Sequence, residues 1–198
     1  MWIAVKELEL RVAGRTLLSE LSFDWTGPGL RAVIGPSGVG KSTLLSCLKG
    51  WIRPARGTVE VEPPSDMWFV PQNSPLLDSR SVSDNLTVAL LPLTQRVTLG
   101  RNLDQLLENY GLTAQKHSLA RHLSGGERQR VALARAAICG SGIVLADEVT
   151  SGLDPQSVAS IVTGLRELSR ESLVVVATHD QRVWDAAEEI LDLGIFAQ

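Results

Sequence analysis

Eight consecutive residues in the first quarter of the chain have the composition and spacing of a loop that binds phosphate groups. Residues 35–42 fit the pattern G-x-x-x-x-G-K-[ST]. The glycines let the backbone N–H groups point inward, and the N-terminus of a following helix adds positive potential. Lys41 is expected to reach the β- and γ-phosphates of a nucleoside triphosphate, and the Ser42 hydroxyl to bind Mg²⁺. The predicted phosphate contacts are Gly35, Pro36, Ser37, Gly38, Val39, Gly40, Lys41, Ser42 and Thr43.

The sequence on either side of this loop supports the interpretation. The apolar run 30–34 predicts a buried strand before it, and residues 43–48 predict a helix after it, which is the context that the motif requires. The alternative is a glycine-rich turn with a chance lysine, which does not account for that context. By itself, the loop predicts only that a nucleoside triphosphate binds.

A pair of adjacent carboxylates follows a second apolar run. Residues 143–146 predict a strand, and Asp147 and Glu148 come directly after it. Two neighbouring carboxylates are costly unless a cation or a proton is shared between them. We therefore expect Asp147 to bind Mg²⁺ and Glu148 to act as the base that orients or activates the attacking water. The alternative is a solvated acidic strand end.

A second anion-binding helix start occurs further along the chain. The run Leu123-Ser124-Gly125-Gly126-Glu127 opens a predicted helix with free N–H groups and a hydroxyl, but without a lysine. One chain has no obvious need for two such helix starts for one nucleotide. With these motifs in this order, the sequence resembles the ABC ATPase family over essentially its whole length. That family's signature is LSGGE, followed here by Arg-Gln-Arg at 128–130.

The resemblance implies roles for three further polar residues. Gln72 would contact Mg²⁺ and water and sense a transmembrane partner, Asp154 would cross a dimer interface, and His179 would contact the γ-phosphate. Taken singly, each also has a structural interpretation: a turn glutamine, a helix N-cap and a strand-end histidine. With Lys41 and Glu148, Gln72 and His179 complete the predicted catalytic set, and Gln72 joins Ser42 and Asp147 as a predicted metal contact.

The resemblance also implies an assembly and a cycle. Two copies, as a homodimer or a pseudo-dimer, would face each other head to tail. The Lys41 loop of one copy and Ser124, Gly125, Gly126, Glu127 and Asp154 of the other would enclose ATP and Mg²⁺. ATP would favour the closed dimer because it contacts both halves, and hydrolysis would remove that preference. Separate transmembrane permease subunits would hold the protein peripherally on the cytoplasmic face of the cell membrane.

The elements around these motifs predict the fold. Strands and helices alternate in the outer segments, which is typical of an α/β core with a mostly parallel sheet. We expect one domain over 1–198, a P-loop NTPase core with an N-terminal antiparallel β subdomain. The core is predicted over 1–72 and 139–198, and an inserted α-helical subdomain with the signature over about 73–138. A helix is predicted from a capped start at 81–84 through the apolar run 86–91. Further helices are predicted over 99–110, 125–137, 155–168 and 181–187, and strands over 58–61, 67–70 and 173–177.

Composition narrows the class of protein further. The 198 residues carry a net charge of −3 and 44% apolar residues, and no run approaches the roughly 18 apolar residues of a membrane span. These values predict a cytosolic protein without nucleic acid as a main partner. Cys47 and Cys139 are expected to be buried apolar filler, and His117 and His122 to lie at the surface.

Two positions depart from the family pattern. Val12 occupies the place of an aromatic residue that usually stacks on adenine, and its loss is expected to cost about 1–3 kcal/mol, or roughly 5- to 150-fold in affinity. We therefore expect weak adenine contact and a reduced preference for ATP over GTP. Val149 replaces a proline that would stiffen the turn after the acidic pair, and slow turnover is expected from it.

The sequence contains features both for and against one specific branch of the family. Residues 145–148 and 84–93 are similar to the lipoprotein-releasing and macrolide-exporter group, whereas Ser151-Gly152 departs from it. A transporter subunit is the favoured interpretation. A nucleic-acid-associated or ribosome-associated ATPase would need coiled coils, fused cassettes or a basic stripe, which the sequence lacks. A slow or binding-only protein is suggested by Val12 and Val149, but the predicted catalytic residues are all retained.

Overall fold

The computed structural model describes residues 1–89 and 102–197, which form two β-sheets and the helices around them. Three strands, β1 (Trp2–Val12), β2 (Arg15–Thr26) and β4 (Arg56–Glu62), form an antiparallel sheet in the order β2-β1-β4. Five strands form a parallel sheet: β3 (Gly29–Ile34), β5 (Met67–Val70), β6 (Ile143–Asp147), β7 (Leu173–Ala177) and β8 (Glu189–Asp192). Their order is β5-β6-β7-β3-β8. The predicted α/β fold with a parallel sheet and an N-terminal antiparallel sheet is confirmed.

The described residues contain six α-helices. Their bounds are α1 (Lys41–Leu48), α2 (Val82–Val88), α3 (Leu103–Asn109), α4 (Gly125–Cys139), α5 (Pro155–Ser169) and α6 (Gln181–Trp184). Short 3-10 turns lie at Thr113–Gln115, Ala120–His122 and Leu193–Ile195. Two predicted helices extend beyond the described residues, at positions 90–91 and 99–101.

Two details of the predicted element order were wrong. The helix predicted over 181–187 ends at Trp184, because the chain turns back and the Glu188 N–H donates to the carbonyl of Leu30 on β3. The strand β8 that follows was not predicted. A strand of four residues is too short for a periodic pattern to show, and among the described strands β8 lies at the edge of the sheet and pairs with β3.

Helix starts beside the predicted motifs are set by local capping. Ser124 and Glu127 form a reciprocal capping box at the start of α4, which satisfies N–H groups that have no partner within the helix. Asp154 accepts hydrogen bonds from the N–H groups of Gln156 and Ser157, and Pro155 occupies the first position of α5. These caps fix where the two long helices begin.

Strand β7 separates two apolar layers. Its residues alternate between them, with Val174 and Val176 in one cluster and Leu173, Val175 and Ala177 in the other. The first cluster includes residues of α2, α3, α4 and α5, and the second includes residues of α1 and the antiparallel sheet. The helices of 73–138 thus share apolar core with the parallel sheet, and the division into core and insert stays a prediction.

The remaining expectations concern single residues and the membrane. Cys47 is buried and Cys139 half-buried, both as free thiols, and burial raises the pKa of each to about 11. His117 and His122 are exposed. Over residues 1–89 and 102–197, no helix has the length and apolar character needed to cross a bilayer.

Candidate active site

The phosphate loop connects β3 to α1 through glycines in left-handed backbone conformations. Gly35 has a φ of 139° and Gly40, which precedes the first residue of α1, a φ of 112°. Side chains rarely adopt these conformations. A Cβ at Gly35 would also lie 3.0 Å from Val39 Cγ1. The loop can therefore curl tightly only because glycine occupies these positions.

The side chain of Lys41 lies back across its own loop. Its Nζ donates to the carbonyl oxygens of Gly35 at 2.9 Å and Pro36 at 3.3 Å, and it is 3.5 Å from Glu148 Oε1. Lys41 is buried. The ammonium thus lies within the curl that phosphate oxygens would enter, and its present partners are groups that such oxygens could replace.

Ser42 and Asp147 form an oxygen pair beside this lysine. Ser42 Oγ donates to Asp147 Oδ1 at 2.9 Å. Burial raises the pKa of Asp147, and the Ser42 hydrogen bond opposes this, while the nearby Glu148 carboxylate adds to it. A carboxylate and a hydroxyl are ligand types that suit Mg²⁺. A bound cation would also offset the cost of burying the Asp147 charge, so the pair fits this metal.

Mg²⁺ is usually held by one or two carboxylates together with water and phosphate oxygens, not by a cage of protein ligands. Among the residues that the structure describes, no group of three or more His, Cys, Asp or Glu side chains could hold a metal ion.

Glu148 has an unusual backbone conformation that directs its carboxylate between two partners. Its φ is 48°, in the left-handed region, and its N–H donates to the Ala177 carbonyl at the end of β7 at 2.9 Å. Non-glycine residues held in this region often lie at functional sites. Glu148 Oε2 is 2.8 Å from His179 Nδ1, and its other oxygen faces Lys41. One carboxylate therefore connects the histidine and the phosphate-loop lysine.

Topology explains why these residues meet. Strands β3, β6 and β7 are parallel neighbours, so their carboxyl ends lie at one edge of the sheet. Each of the three strand ends is followed by a part of the predicted cis site. The cleft there has a volume of about 220 Å³ and is lined by Ser37, Gly38, Gly40, Lys41, Ser42, Thr43 and Glu148.

The residues predicted to act in trans form a second group at the starts of α4 and α5. Ser124 Oγ donates to Glu127 Oε2 at 2.9 Å. A Cβ at Gly126 would lie 2.5 Å from Ser157 Oγ, and Ser157 Oγ donates to Asp154 Oδ2 at 2.6 Å. Within the described residues, no hydrogen bond joins this group to the phosphate loop.

Gln72 lies with the second group. It is exposed and lines a cleft of about 400 Å³ together with Gly125, Ser151 and Leu153. The contacts that the structure describes do not connect Gln72 to Ser42 or Asp147, and its predicted metal contact stays a prediction. Its backbone carbonyl accepts a hydrogen bond from Gln129.

The structure shows contacts of three residues that the sequence did not predict. Ser157 packs on Gly126, and Ser74 and Gln129 are hydrogen bonded to each other in the interior. Ser74 and Ser157 lie in no motif, and Gln129 was noted only as part of the Arg-Gln-Arg run at 128–130, because the partners of all three residues are distant in sequence. The two residues that depart from the family pattern lie in different environments. Val12 is exposed beside the β1–β2 turn, and Val149 is fully buried.

Comparison with known proteins identifies the family. The sequence profile of the ABC transporter family matches residues 18–151. The chain belongs to the ABC transporter family. Among its ABC relatives, the methionine import ATP-binding protein MetN of Thermobifida fusca (strain YX) is 38% identical over 186 residues, which cover 82% of this chain and 57% of that protein.

MetN of Chlamydia abortus (strain DSM 27085 / S26/3) is 30% identical over 187 residues, covering 85% of this chain and 55% of that protein. The chain therefore spans little more than half the length of these curated relatives. Both carry the name of an importer subunit. The narrower resemblance to the lipoprotein-releasing and macrolide-exporter group stays a prediction.

Solved structures share the fold. An ABC transporter described in an inward-facing conformation matches with a TM-score of 0.78 and 30% identity, covering 93% of this chain and 75% of that chain. The structure of cbiO1 from Clostridium perfringens, part of the ABC transporter complex cbiONQ, has a TM-score of 0.81 at 24% identity, covering 97% and 85% of the two chains. This second likeness shows the fold alone.

Proposed function

We propose that this ABC family protein binds and hydrolyses ATP as the energising subunit of a membrane transporter. One observation carries the proposal: Lys41, Ser42, Asp147, Glu148 and His179 converge at one sheet edge, joined by contacts of 2.8–3.5 Å. Phosphoryl transfer depends on positioning and on neutralising charge more than on covalent chemistry. These five side chains supply both.

The phosphate loop would hold the triphosphate in cis. Its N–H groups would bind phosphate oxygens, and Lys41 would exchange the carbonyl oxygens of Gly35 and Pro36 for the β- and γ-phosphates. Ser42 and Asp147 would hold Mg²⁺, with Gln72 as a further contact after it moves toward them. When bound, Mg²⁺ would neutralise part of the phosphate charge.

Glu148 would act as the base for the attacking water. Its carboxylate is restrained by the left-handed backbone and by the hydrogen bond with His179 at 2.8 Å. His179 would orient this carboxylate and contact the γ-phosphate. Because Lys41 also faces Glu148, a triphosphate that attracts the ammonium would free one carboxylate oxygen to accept a proton from water.

A second copy, or a homologous chain, would complete the site in trans. The start of α4, with Ser124, Gly125, Gly126 and Glu127, would cap the nucleotide held by the partner copy, and Asp154 would lie at the interface. Ser124 and Asp154 are hydrogen bonded within their own group at the starts of α4 and α5, and this is the group that the arrangement assigns to the partner's nucleotide. Closure would be driven by ATP, which contacts both copies, and reversed by hydrolysis.

The proposed partners are transmembrane permease subunits, which would hold the protein peripherally at the cytoplasmic face of the membrane. The names of the relatives favour an importer. Contacts with the transported substrate belong to the membrane subunits, so the methionine in those names is not carried over. Absence of nucleic acid as a partner stays a prediction.

Steady-state ATP hydrolysis with Mg²⁺ tests the enzymatic part. Glu148→Gln is expected to lower the rate by about 10²- to 10⁴-fold, the usual effect of removing a general base, while ATP still binds. Glu60→Gln makes the same chemical change on an exposed position of β4 and serves as the control. Equal trace rates for the wild-type protein and Glu148→Gln would show that the chain is not a working ATPase.

Purification of the chain from native membranes tests the transporter part. A polytopic membrane protein is expected to co-purify in stoichiometric amounts and to be identified by mass spectrometry. Recovery with ribosomes or nucleic acid instead would contradict the proposal and favour the non-transport alternative.

A further inference from the structure

Side chains of helix α4 form hydrogen bonds with the segment that follows strand β5. Arg128 Nη1 donates to Asp78 Oδ1 at 2.9 Å, and Arg135 Nη1 donates to the Pro75 carbonyl at 2.9 Å. These contacts hold the downstream part of residues 71–78, the segment that contains Gln72. The segment is therefore fastened to the same helix that begins at the signature serine.

The inner contact is made by Gln129, between these two arginines. Its Nε2 donates to the Gln72 carbonyl, and its Oε1 accepts from Ser74 Oγ at 2.6 Å. The amide orientation is fixed by chemistry, because a backbone carbonyl can only accept and must therefore face the nitrogen. Ser74 Oγ also lies 3.1 Å from the Pro71 carbonyl. One side chain thus binds both sides of the turn at 71–74.

Burial makes this link stiff. Gln129 is 7% exposed and Ser74 is 8% exposed. A buried amide that loses its partners cannot exchange them readily for water, so separating the turn from the helix is unfavourable. Displacement of the Gln72 backbone should therefore be passed to α4 instead of breaking these hydrogen bonds.

We propose that Gln129 is a positioning residue that couples Gln72 to the signature at the start of α4. Gln129 lies five residues after Ser124, little more than one helical turn from the proposed trans nucleotide contact. The inference rests on the proposed function, in which Gln72 contacts Mg²⁺ and Ser124 caps the partner's ATP, together with the expectation that Gln72 senses the permease. Gln129 would hold Gln72 and the start of α4 at a fixed distance from each other, and it would contact neither substrate nor metal.

ATP-dependent dimerisation tests the proposal, measured by analytical ultracentrifugation in the Glu148→Gln background, where nucleotide is retained. Gln129→Met keeps the side-chain length and removes both hydrogen bonds. The ATP-driven dimer is expected to weaken by about tenfold or more, the effect of losing about one hydrogen bond per protomer. Binding of a fluorescent ATP analogue to the monomeric phosphate loop should stay within about twofold, since a tenfold change corresponds to a full hydrogen bond.

Two matched variants separate positioning from general destabilisation. Gln105→Met removes an exposed amide on α3 that also donates hydrogen bonds, and should leave dimerisation unchanged. Ser74→Ala removes one partner but leaves the bond to the Gln72 carbonyl, so most dimerisation should remain. Gln129→Glu places an acceptor against that carbonyl and should weaken dimerisation as Gln129→Met does.

Each outcome bears on a distinct claim. The coupling role would be overturned if Gln129→Met and Gln129→Glu dimerise as well as Gln105→Met does. It would also be overturned if Ser74→Ala and Gln129→Glu weaken dimerisation equally. If Gln129→Met does not fold, Ser74→Ala and Gln129→Glu decide the matter. Failure of the Glu148→Gln parent to dimerise with ATP would contradict the proposed function itself.

Discussion

Gly126 offers a quantitative test of the packing between the starts of α4 and α5. A Cβ added at Gly126 would lie 2.5 Å from Ser157 Oγ and 2.7 Å from Ser157 Cβ. Carbon atoms in favourable contact are about 3.5–4.0 Å apart, so the helices would have to separate by roughly 1 Å. The Gly126→Ala variant therefore introduces overpacking between the helices.

The expected cost follows from two opposing effects. Overpacking a tight contact typically costs about 1–3 kcal/mol, while replacing glycine by alanine in a helix returns up to about 1 kcal/mol. The free energy of unfolding should fall by about 1–2 kcal/mol, which lowers the melting temperature by about 2–8 °C in a domain of this size. Gly125→Ala is the control, because its Cβ would meet only the flexible Leu153 Cδ2 at 3.2 Å.

A double-mutant cycle ties the effect to this one contact. Ser157→Gly removes the atoms that obstruct Gly126→Ala, so the alanine should cost almost nothing in that background, giving a coupling energy of about 1–2 kcal/mol. Thermal and urea unfolding of the four proteins supplies the measurement. An equal cost of Gly126→Ala with and without Ser157, or no cost at all, would refute the packing argument.

Two further changes probe the nucleotide site. Val12→Tyr should restore a ring for the base, raising ATP affinity by roughly 5- to 150-fold and increasing selectivity over GTP in a direct binding titration. Strong ATP selectivity in the wild-type protein would show that Val12 does not weaken base recognition. Asp147→Asn should raise the melting temperature at pH 7 without metal while abolishing hydrolysis. Burial raises the folded-state pKa of Asp147, so its contribution to stability is greatest below the unfolded value of 3.8 and falls as pH rises through the folded pKa. Removing the charge should reverse that loss, and an unchanged or lower melting temperature at pH 7 would count against the cause assigned to the shift.

The parts of the site that the sequence predicted are those coded within a few neighbouring residues. The phosphate loop is a strand, a glycine turn and a helix start in one continuous run, and all three occur where expected. Asp147 is the last residue of β6 and Glu148 follows it directly. The fold class was predictable for a similar reason, because alternating strand and helix patterns favour a parallel sheet.

Contacts between distant segments could not be predicted in this way. Gln129 and the Gln72 carbonyl are 57 residues apart, and Gly126 packs on a serine 31 positions later. Hydrophobic periodicity tells which face of a helix is buried but not which helix covers it. The helix predicted over 181–187 was too long because Ala186 and Ala187 favour helix. Pairing of β8 with β3 decided its end instead.

The capping hydrogen bonds at the start of α4 determine which hydroxyl and N–H groups of the signature are available to bind a nucleotide. Ser124 Oγ accepts from the Glu127 N–H and donates its proton to the Glu127 carboxylate. A phosphate oxygen would have to displace that carboxylate, which carries charge of the same sign. The N–H groups of Gly125 and Gly126, at the first two positions of the helix, have no partner within it and point toward its positive end. Anion binding there should therefore depend more on the backbone than on the serine hydroxyl. Gly126 permits the close approach of α5 within one chain, and in the proposed dimer it would also permit the approach of a phosphate held by the partner copy.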